Sequence, residues 1–395
     1  SEPTRSPQLL AASEEPFNGE PPREVLGSGF ITPTETFFVR NHSAVPDLDP
    51  KAHRVAISGV FLTKSLSLGL DNIRNGFIVH TIAATLQCAG NRRKEMVEAA
   101  GKPIKGLPWG EGAIGNASWT GVLLRDVLRA AGLGSNQAQQ FPDGLHVAFE
   151  GMDGVKEHQF KTGYGSSVPL ATVLSKPVLV AFEMNGEPLT RDHGAPFRVI
   201  VPGVIGARSV KWLRSIVVQA CESPNFFQQR DYKLFAPDVS WETVEPLWDL
   251  VPPMQEMNVQ CIICRASARK TSGQRESLEC GVSGIAVSGG GRRIVRVDVS
   301  GDGGSTWSTA RLSQETANPS PKESGFAWVL WEADIQVHIT SALSGTSAAE
   351  GPSVVARAWD EACNTQPETI VWNLRGVGNN AWHWRRVDFV PPPRL

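Results

Sequence analysis

Residues 294–300 read IVRVDVS, and from Val295 to Ser300 apolar and polar side chains alternate strictly. Successive side chains of a strand point to opposite faces, so this run predicts a half-buried antiparallel strand. GDGG at 301–304 supplies the residues of a hairpin turn. FAWVLWEADI and SVVARAWDEA are further strand candidates downstream. Short strands at this spacing predict an all-β, immunoglobulin-like sandwich over residues 256–395. SGGGRR at 288–293 resembles a phosphate loop only superficially. No helix pattern follows it and the loop's Lys and Ser/Thr are missing, so it reads as a hairpin turn.

Upstream the texture differs. VLLRDVLRAAGL, 122–133, spaces apolar residues as a helix does and ends at a glycine. PVLVAFEMNG, 177–186, is an apolar strand running into an Asn-Gly turn. Without regular βα alternation, residues 25–255 predict a mixed α+β domain, with a boundary near LVPPMQEMNVQ at 250–260. Residues 1–24 are polar and Pro-rich and read as an extended N-terminal segment. The chain's 395 residues suit more than one core. Its 38 basic and 40 acidic residues nearly cancel, so nothing global draws it to nucleic acid or to an anionic membrane. No apolar run reaches membrane-spanning length. The six cysteines form no secreted-type framework. CIIC at 261–264 lies in a strand-like run without a second pair, and reads as buried structural thiols.

The chemistry concentrates elsewhere. TLQCAGNRRKEM, 85–96, ends a strand-like run on Cys88, follows it with a turn, and places Arg92 and Arg93 beside it. Neighbouring guanidinium groups favour thiolate, the form a soft metal or an electrophile requires. The alternative is a buried cysteine followed by solvated arginines. RDHGAPFRVIVPGVIGARSVKW, 191–212, gathers Arg191, His193, Arg198, Arg208 and Lys211 among apolar residues and glycines. Such a set suits an anion, and an arginine buried in FRVIV needs a partner. FFVRNH around Arg40 and WNLRGVGNNAW around Arg375 add further arginines in apolar surroundings. A Cys–His hydrolase would need His80 or His193 as base for Cys88, but no protease nucleophile signature surrounds the cysteine.

TLQCAGNRR, MNGEPLTRDHG, VPGVIGARSVKWL and WNLRG, with PFNGEPP near the start and SGGGRRIVRVDVSGDGG near the end, resemble in content and order the eukaryotic sulfite oxidase family of molybdenum enzymes. The likeness runs from about residue 16 to about residue 385 and is nearest to the plant-like form lacking a haem domain. It implies an α+β molybdopterin-binding domain of sulfite oxidase type, followed by the immunoglobulin-like domain used for homodimerisation. It implies Cys88 as the protein's ligand to molybdenum. Phe37, Phe38, Val39, Arg40, Asn41, Asp153, His193, Arg198, Ser209, Val210 and Lys211 fall on the family's cofactor contacts. Arg40, Arg93, Trp109, Tyr232 and Arg375 fall on its substrate pocket.

The implied reaction is oxygen-atom transfer to the sulfur of sulfite, yielding sulfate, with two electrons leaving for oxygen or a separate acceptor. The implied cofactor is molybdenum with molybdopterin. No HPGG haem motif is present, so no haem is expected in this chain. The nearest rival is the molybdenum domain of an assimilatory nitrate reductase, which shares the CAGNRR segment; Arg375 favours sulfite oxidase, since nitrate reductases tend to carry an apolar residue there. The terminal PRL is a weak variant of a peroxisomal address, with cytoplasm or a mitochondrial compartment as alternatives.

Overall fold

The two textures of the sequence become two sets of sheets. The structure is a computed structural model that describes residues 2–134, 141–154, 163–269, 277–313, 324–338 and 351–390. The terminal PRL lies outside the described residues.

In the first domain, one five-stranded sheet runs Glu187–Pro188, Leu179–Met184, Ile114–Leu123, Val79–Gln87, with Arg198–Ile200 also paired to Leu179–Met184. A second five-stranded sheet runs Leu66–Leu68, Val55–Gly59, Leu213–Gln219, His146–Gly151, Gly165–Pro169. Only the pairing of Leu213–Gln219 with Val55–Gly59 is parallel in that sheet. The run expected as a helix over 122–133 splits. Val122 and Leu123 finish a strand whose backbone pairs with Val180 and Leu179, and the helix spans Leu124–Ala130. Asn185 and Gly186 turn the chain at φ of 54° and 82°, as the Asn-Gly pair predicts.

The N-terminal segment is more than a tail. Leu10–Glu14 and Phe17–Glu20 form an antiparallel hairpin, and Gly19 and Val39 exchange backbone hydrogen bonds of 3.0 and 2.8 Å. This fastens the hairpin to the segment that carries Arg40.

Beyond Gln260 every regular element of the described residues is a strand, apart from one short helical turn at Ser324–Phe326. One sheet runs Arg311–Ser313, Val329–His338, Ser277–Val287, Gln260–Arg269, Asp388–Val390; the other runs Ser308–Thr309, Ile294–Ser300, Ser353–Asp360, His383–Arg386. Ile263, Val282 and Trp331 of the first sheet share one core with Val297, Val299 and Ala356 of the second. The outer face of Gln260–Arg269 packs back on the first domain, where Ile262 and Cys264 join the larger core. Cys261 and Cys264 thus serve different cores and cannot share a metal. Both thiols are pushed well up by burial, Cys264 to about 12.

The alternation at 294–300 gave the strand but not its burial. A bulge between Ile294 and Arg296 turns Val295 out to solvent, and Asp298, on the side expected to be wet, is fully buried. Arg357, packed 3.8 Å from the Trp307 ring centroid and 4.7 Å from that of Trp359, covers that face and faces Asp298.

Candidate active site

Cys88 stands where the strand Val79–Gln87 ends against a tight turn. Its own N–H is bonded to Ala113 O at 2.9 Å, and its carbonyl accepts the Asn91 N–H at 2.9 Å. The backbone is therefore fixed on both sides, and the buried side chain faces a cleft of about 700 Å³, part of it open to solvent. The cleft brings together, from remote parts of the sequence, Phe37, Phe38, Arg40, Asp153, His193, Arg198, Ser209, Val210, Lys211 and Tyr232. Of the remaining expected residues, Asn41 touches the lining through Lys211, whose ammonium donates to Asn41 Oδ1. Val39 contributes the backbone bridge to Gly19 and does not line the cleft.

One end of the cleft is built to be cationic. Arg198 is buried, and among the described residues its guanidinium donates only to carbonyls, His193 O and Ser209 O at 3.1 Å each. It lies 5.0 Å from the Trp119 ring centroid, and its buried Nε has no partner among the described residues. Burial pulls its pKa down to about 9. Lys211 donates to Asp192 O at 2.8 Å; burial, then the charge of Arg198, brings its ammonium down to about 7. His193 bonds the Thr34 carbonyl through Nε2 at 3.2 Å, so that nitrogen carries a proton. Burial, helped by Lys211 and Arg198, lowers it to about 4. Asp153 is pushed up to about 6 by burial, against the pull of Lys211.

The other end surrounds the sulfur. Arg93 donates to Gly376 O at 2.9 Å and Leu107 O at 2.7 Å, with no carboxylate among its partners in the described residues. A Cβ on Gly90 or Gly106 would lie 2.3 or 2.8 Å from its guanidinium nitrogens, so these glycines make its berth. Burial depresses its pKa, while the Cys88 sulfur and Tyr232 pull it back up. Trp109 is fully buried in the cluster that holds Cys88, and its indole N–H has no partner among the described residues. The same holds for Gln87 Oε1 and Asn91 Nδ2, buried atoms flanking Cys88 in sequence. Arg375 sits further out: it is ion-paired to Asp231, donates to Asp231 O at 3.0 Å, and lies 5.6 Å from the exposed Trp241 ring. Arg93, Trp109 and Arg375 border the cleft's neighbourhood without lining it.

Sequence reasoning left His42, Tyr164 and Asp192 without roles, and all three line the cleft. His42 Nε2 lies 2.9 Å from the Tyr232 hydroxyl, and its ring packs on Tyr164 and Phe227 at 4.7 and 4.5 Å. Burial, then Arg40 and Lys211, hold His42 neutral, while burial raises the Tyr232 hydroxyl. The pair is therefore joined as neutral imidazole and phenol, with the donor set by the His42 tautomer. The signal for His42 was its spacing: in extended backbone, residues 40 and 42 turn to the same side.

A thiol at one end and, at the other, a buried arginine and lysine that have no direct carboxylate bond among the described residues fit a group that joins a soft metal to an anionic tail. The orphaned donors at Arg198 and Trp109 point the same way, since buried N–H groups seldom lack acceptors.

Known proteins agree. Residues 42–227 match the family described as the oxidoreductase molybdopterin binding domain, and residues 251–389 match the Mo-co oxidoreductase dimerisation domain. The chain is 46% identical to mitochondrial sulfite oxidase of Homo sapiens, over 99% of this chain and 67% of that protein. It is 42% identical to sulfite oxidase of Arabidopsis thaliana, over 97% of this chain and 94% of that one. A nitrate reductase of Hordeum vulgare is more distant, at 36% identity over 98% of this chain and 43% of its own length. Among solved structures, the sulfane dehydrogenase SoxCD of Paracoccus pantotrophus superposes with a TM-score of 0.71 at 26% identity, covering 98% of this chain and 91% of that one. The thiol-and-cation cleft, the sandwich behind it and these full-length matches place the chain in the sulfite oxidase family of molybdopterin oxidoreductases.

Proposed function

We propose that this protein oxidises sulfite to sulfate with a molybdenum–molybdopterin cofactor held through Cys88. The observation that carries the reading is one cleft that sets the Cys88 thiol opposite Arg198, with Arg93 bordering the sulfur end, both of them buried arginines that have no carboxylate partner among the described residues. Cys88 would ligate the metal, and Arg198, Lys211, Ser209 and the neutral His193 would hold the pterin and its phosphate. When bound, that group supplies the oxygen atom transferred to sulfite and takes up the two electrons.

The chain's own residues do the rest. Arg40 and Arg93 bring positive charge to the Cys88 end of the cleft, where water is scarce and an oxyanion gains most from it. Arg375 adds charge from the rim, restrained by Asp231. The Tyr232 hydroxyl, coupled to neutral His42, can donate a hydrogen bond to the substrate and hold or release one proton. Arg375 also favours sulfite oxidase over nitrate reductase. The dimerisation domain supports a homodimer, and the electrons pass to oxygen or to a separate acceptor protein.

The test is anaerobic. Sulfite is mixed with the molybdenum-loaded protein and the visible absorption of the oxidised metal–thiolate centre is followed. Rapid bleaching is expected, and Cys88→Ser should fold but show neither the band nor turnover. A loaded protein that does not bleach with sulfite would overturn the substrate assignment.

A further inference from the structure

The cationic end of the cleft contains an acid that works against its purpose. Asp192 lines the cavity with Arg198 and Lys211, and its carboxylate is where an anionic tail would be repelled. It is neutralised from outside the domain's own sheets. Arg5 grips it bidentately, Nε to Oδ2 at 2.8 Å and Nη2 to Oδ1 at 2.9 Å. The side chains are 14% and 8% exposed, so the pair is largely withdrawn from water. Arg5 is itself packed 4.2 Å from the Phe17 ring centroid and bonded to Glu2 at 2.7 Å.

The same N-terminal segment reaches the cleft a second way. Phe17 O accepts from Asn41 Nδ2 at 3.0 Å, and Asn18 Oδ1 accepts from Asn41 N–H at 2.8 Å and Arg40 Nη1 at 3.2 Å. Asn41 in turn accepts from Lys211. The segment expected as a tail thus fixes both the charge balance and the side-chain positions of the anion end.

We propose that Arg5 is a positioning residue for cofactor retention: by cancelling Asp192 it leaves Lys211 and Arg198 free to hold the anionic end of molybdopterin, and it clamps the N-terminal segment against that wall. This rests on the molybdopterin reading of the cleft. Without Arg5, Asp192 loses its ion pair and keeps the Asn41 Nδ2 hydrogen bond at 3.4 Å, leaving its negative charge uncompensated beside the bound anion.

Pterin retention tests it directly. Protein made in a host that synthesises the cofactor is dialysed, and the pterin kept is measured by fluorescence after oxidative release, for wild type, R5Q, D192N and R5Q/D192N. R5Q should lose pterin about tenfold faster than wild type, the scale of one pK unit's worth of interaction. The double variant should return to within about threefold of wild type, because it restores charge balance without restoring the clamp's ion pair. Loss from R5Q at the wild-type rate would overturn the proposal. So would a double variant as leaky as R5Q, which would make Arg5 a brace and nothing more. Wild-type protein without pterin would instead strike the reading of the cleft itself, and that arm does not involve Arg5.

Discussion

The cleft and the sandwich both bury charge, and they do it in opposite ways. In the sandwich, Asp298 is fully buried but receives Arg296 through two bonds of 2.7 and 2.8 Å and faces Arg357 at 3.8 Å. Asp360 is likewise closed off, by Arg292, Ser288 and Asn364 at 2.8 to 3.0 Å. In and beside the cleft, Arg198 and Arg93 have carbonyls for partners and no carboxylate among the described residues. Matched buried charge specifies a structure, whereas unmatched buried charge specifies a ligand. Adjacent residues show the divide. Arg92 is tied to Glu95, Ala381 O and Trp382 O and stitches the helix Arg93–Ala100 to the sandwich, while Arg93 turns the other way, toward Cys88.

The sharpest break of this contrast compares one substitution from each region. Arg198→Met should abolish pterin retention. Yet the cofactor-free protein should unfold within about 1 kcal/mol of wild type, because the loss of two carbonyl bonds is offset by removing a desolvated charge. Asp298→Ala should do the reverse, costing roughly 2–3 kcal/mol of stability while leaving sulfite KM unchanged. Chemical denaturation and pterin fluorescence on the same preparations decide it. A large stability loss in the cofactor-free Arg198→Met protein would show that Arg198 is structural after all.

Arg375 belongs by sequence to the second region and by resemblance to the first. Its ion pair with Asp231 looks like the sandwich's pairs, and burial, then Arg93, lower its pKa to about 10. Arg375→Met should raise sulfite KM roughly 10–100-fold, the worth of about 1.4–2.7 kcal/mol of anion binding, with a smaller fall in kcat. Unchanged steady-state kinetics with lowered stability would file Arg375 with the structural pairs.

What the sequence disclosed follows the same divide. Runs in which a residue's neighbours determine its setting were readable: the Asn185-Gly186 turn, the apolar strand Leu179–Met184, the strand ending at Cys88. So were the thiols of CIIC, whose apolar strand foretold their burial. Settings imposed by remote chain were not readable. Nothing in 294–300 announces the bulge that exposes Val295, or the Arg357–tryptophan cover that buries Asp298. Nothing near Arg5 announces Asp192, 187 residues away. Convergence of arginines on one cleft is a three-dimensional fact: the clusters suggested it, and the resemblance assigned the residues.

A pH slope also distinguishes the regions. In the folded chain Lys211 loses its proton near pH 7, whereas in the unfolded chain it holds it to about 10.5. Between those values the unfolded state binds more protons, so stability rises with pH; the contribution is present above the unfolded pKa and is lost as pH falls through about 7. From pH 7 to about 9, below which Arg198 also stays charged, the cofactor-free protein should gain at most about 1.4 kcal/mol per pH unit from this group. Lys211→Met should flatten the slope. Bound cofactor should flatten it as well, because an anion beside Lys211 restores its proton and removes the difference between the two states. Unfolding free energies across this range, with and without cofactor, read the effect directly. A slope that survives in the loaded protein would mean that no anion reaches Lys211.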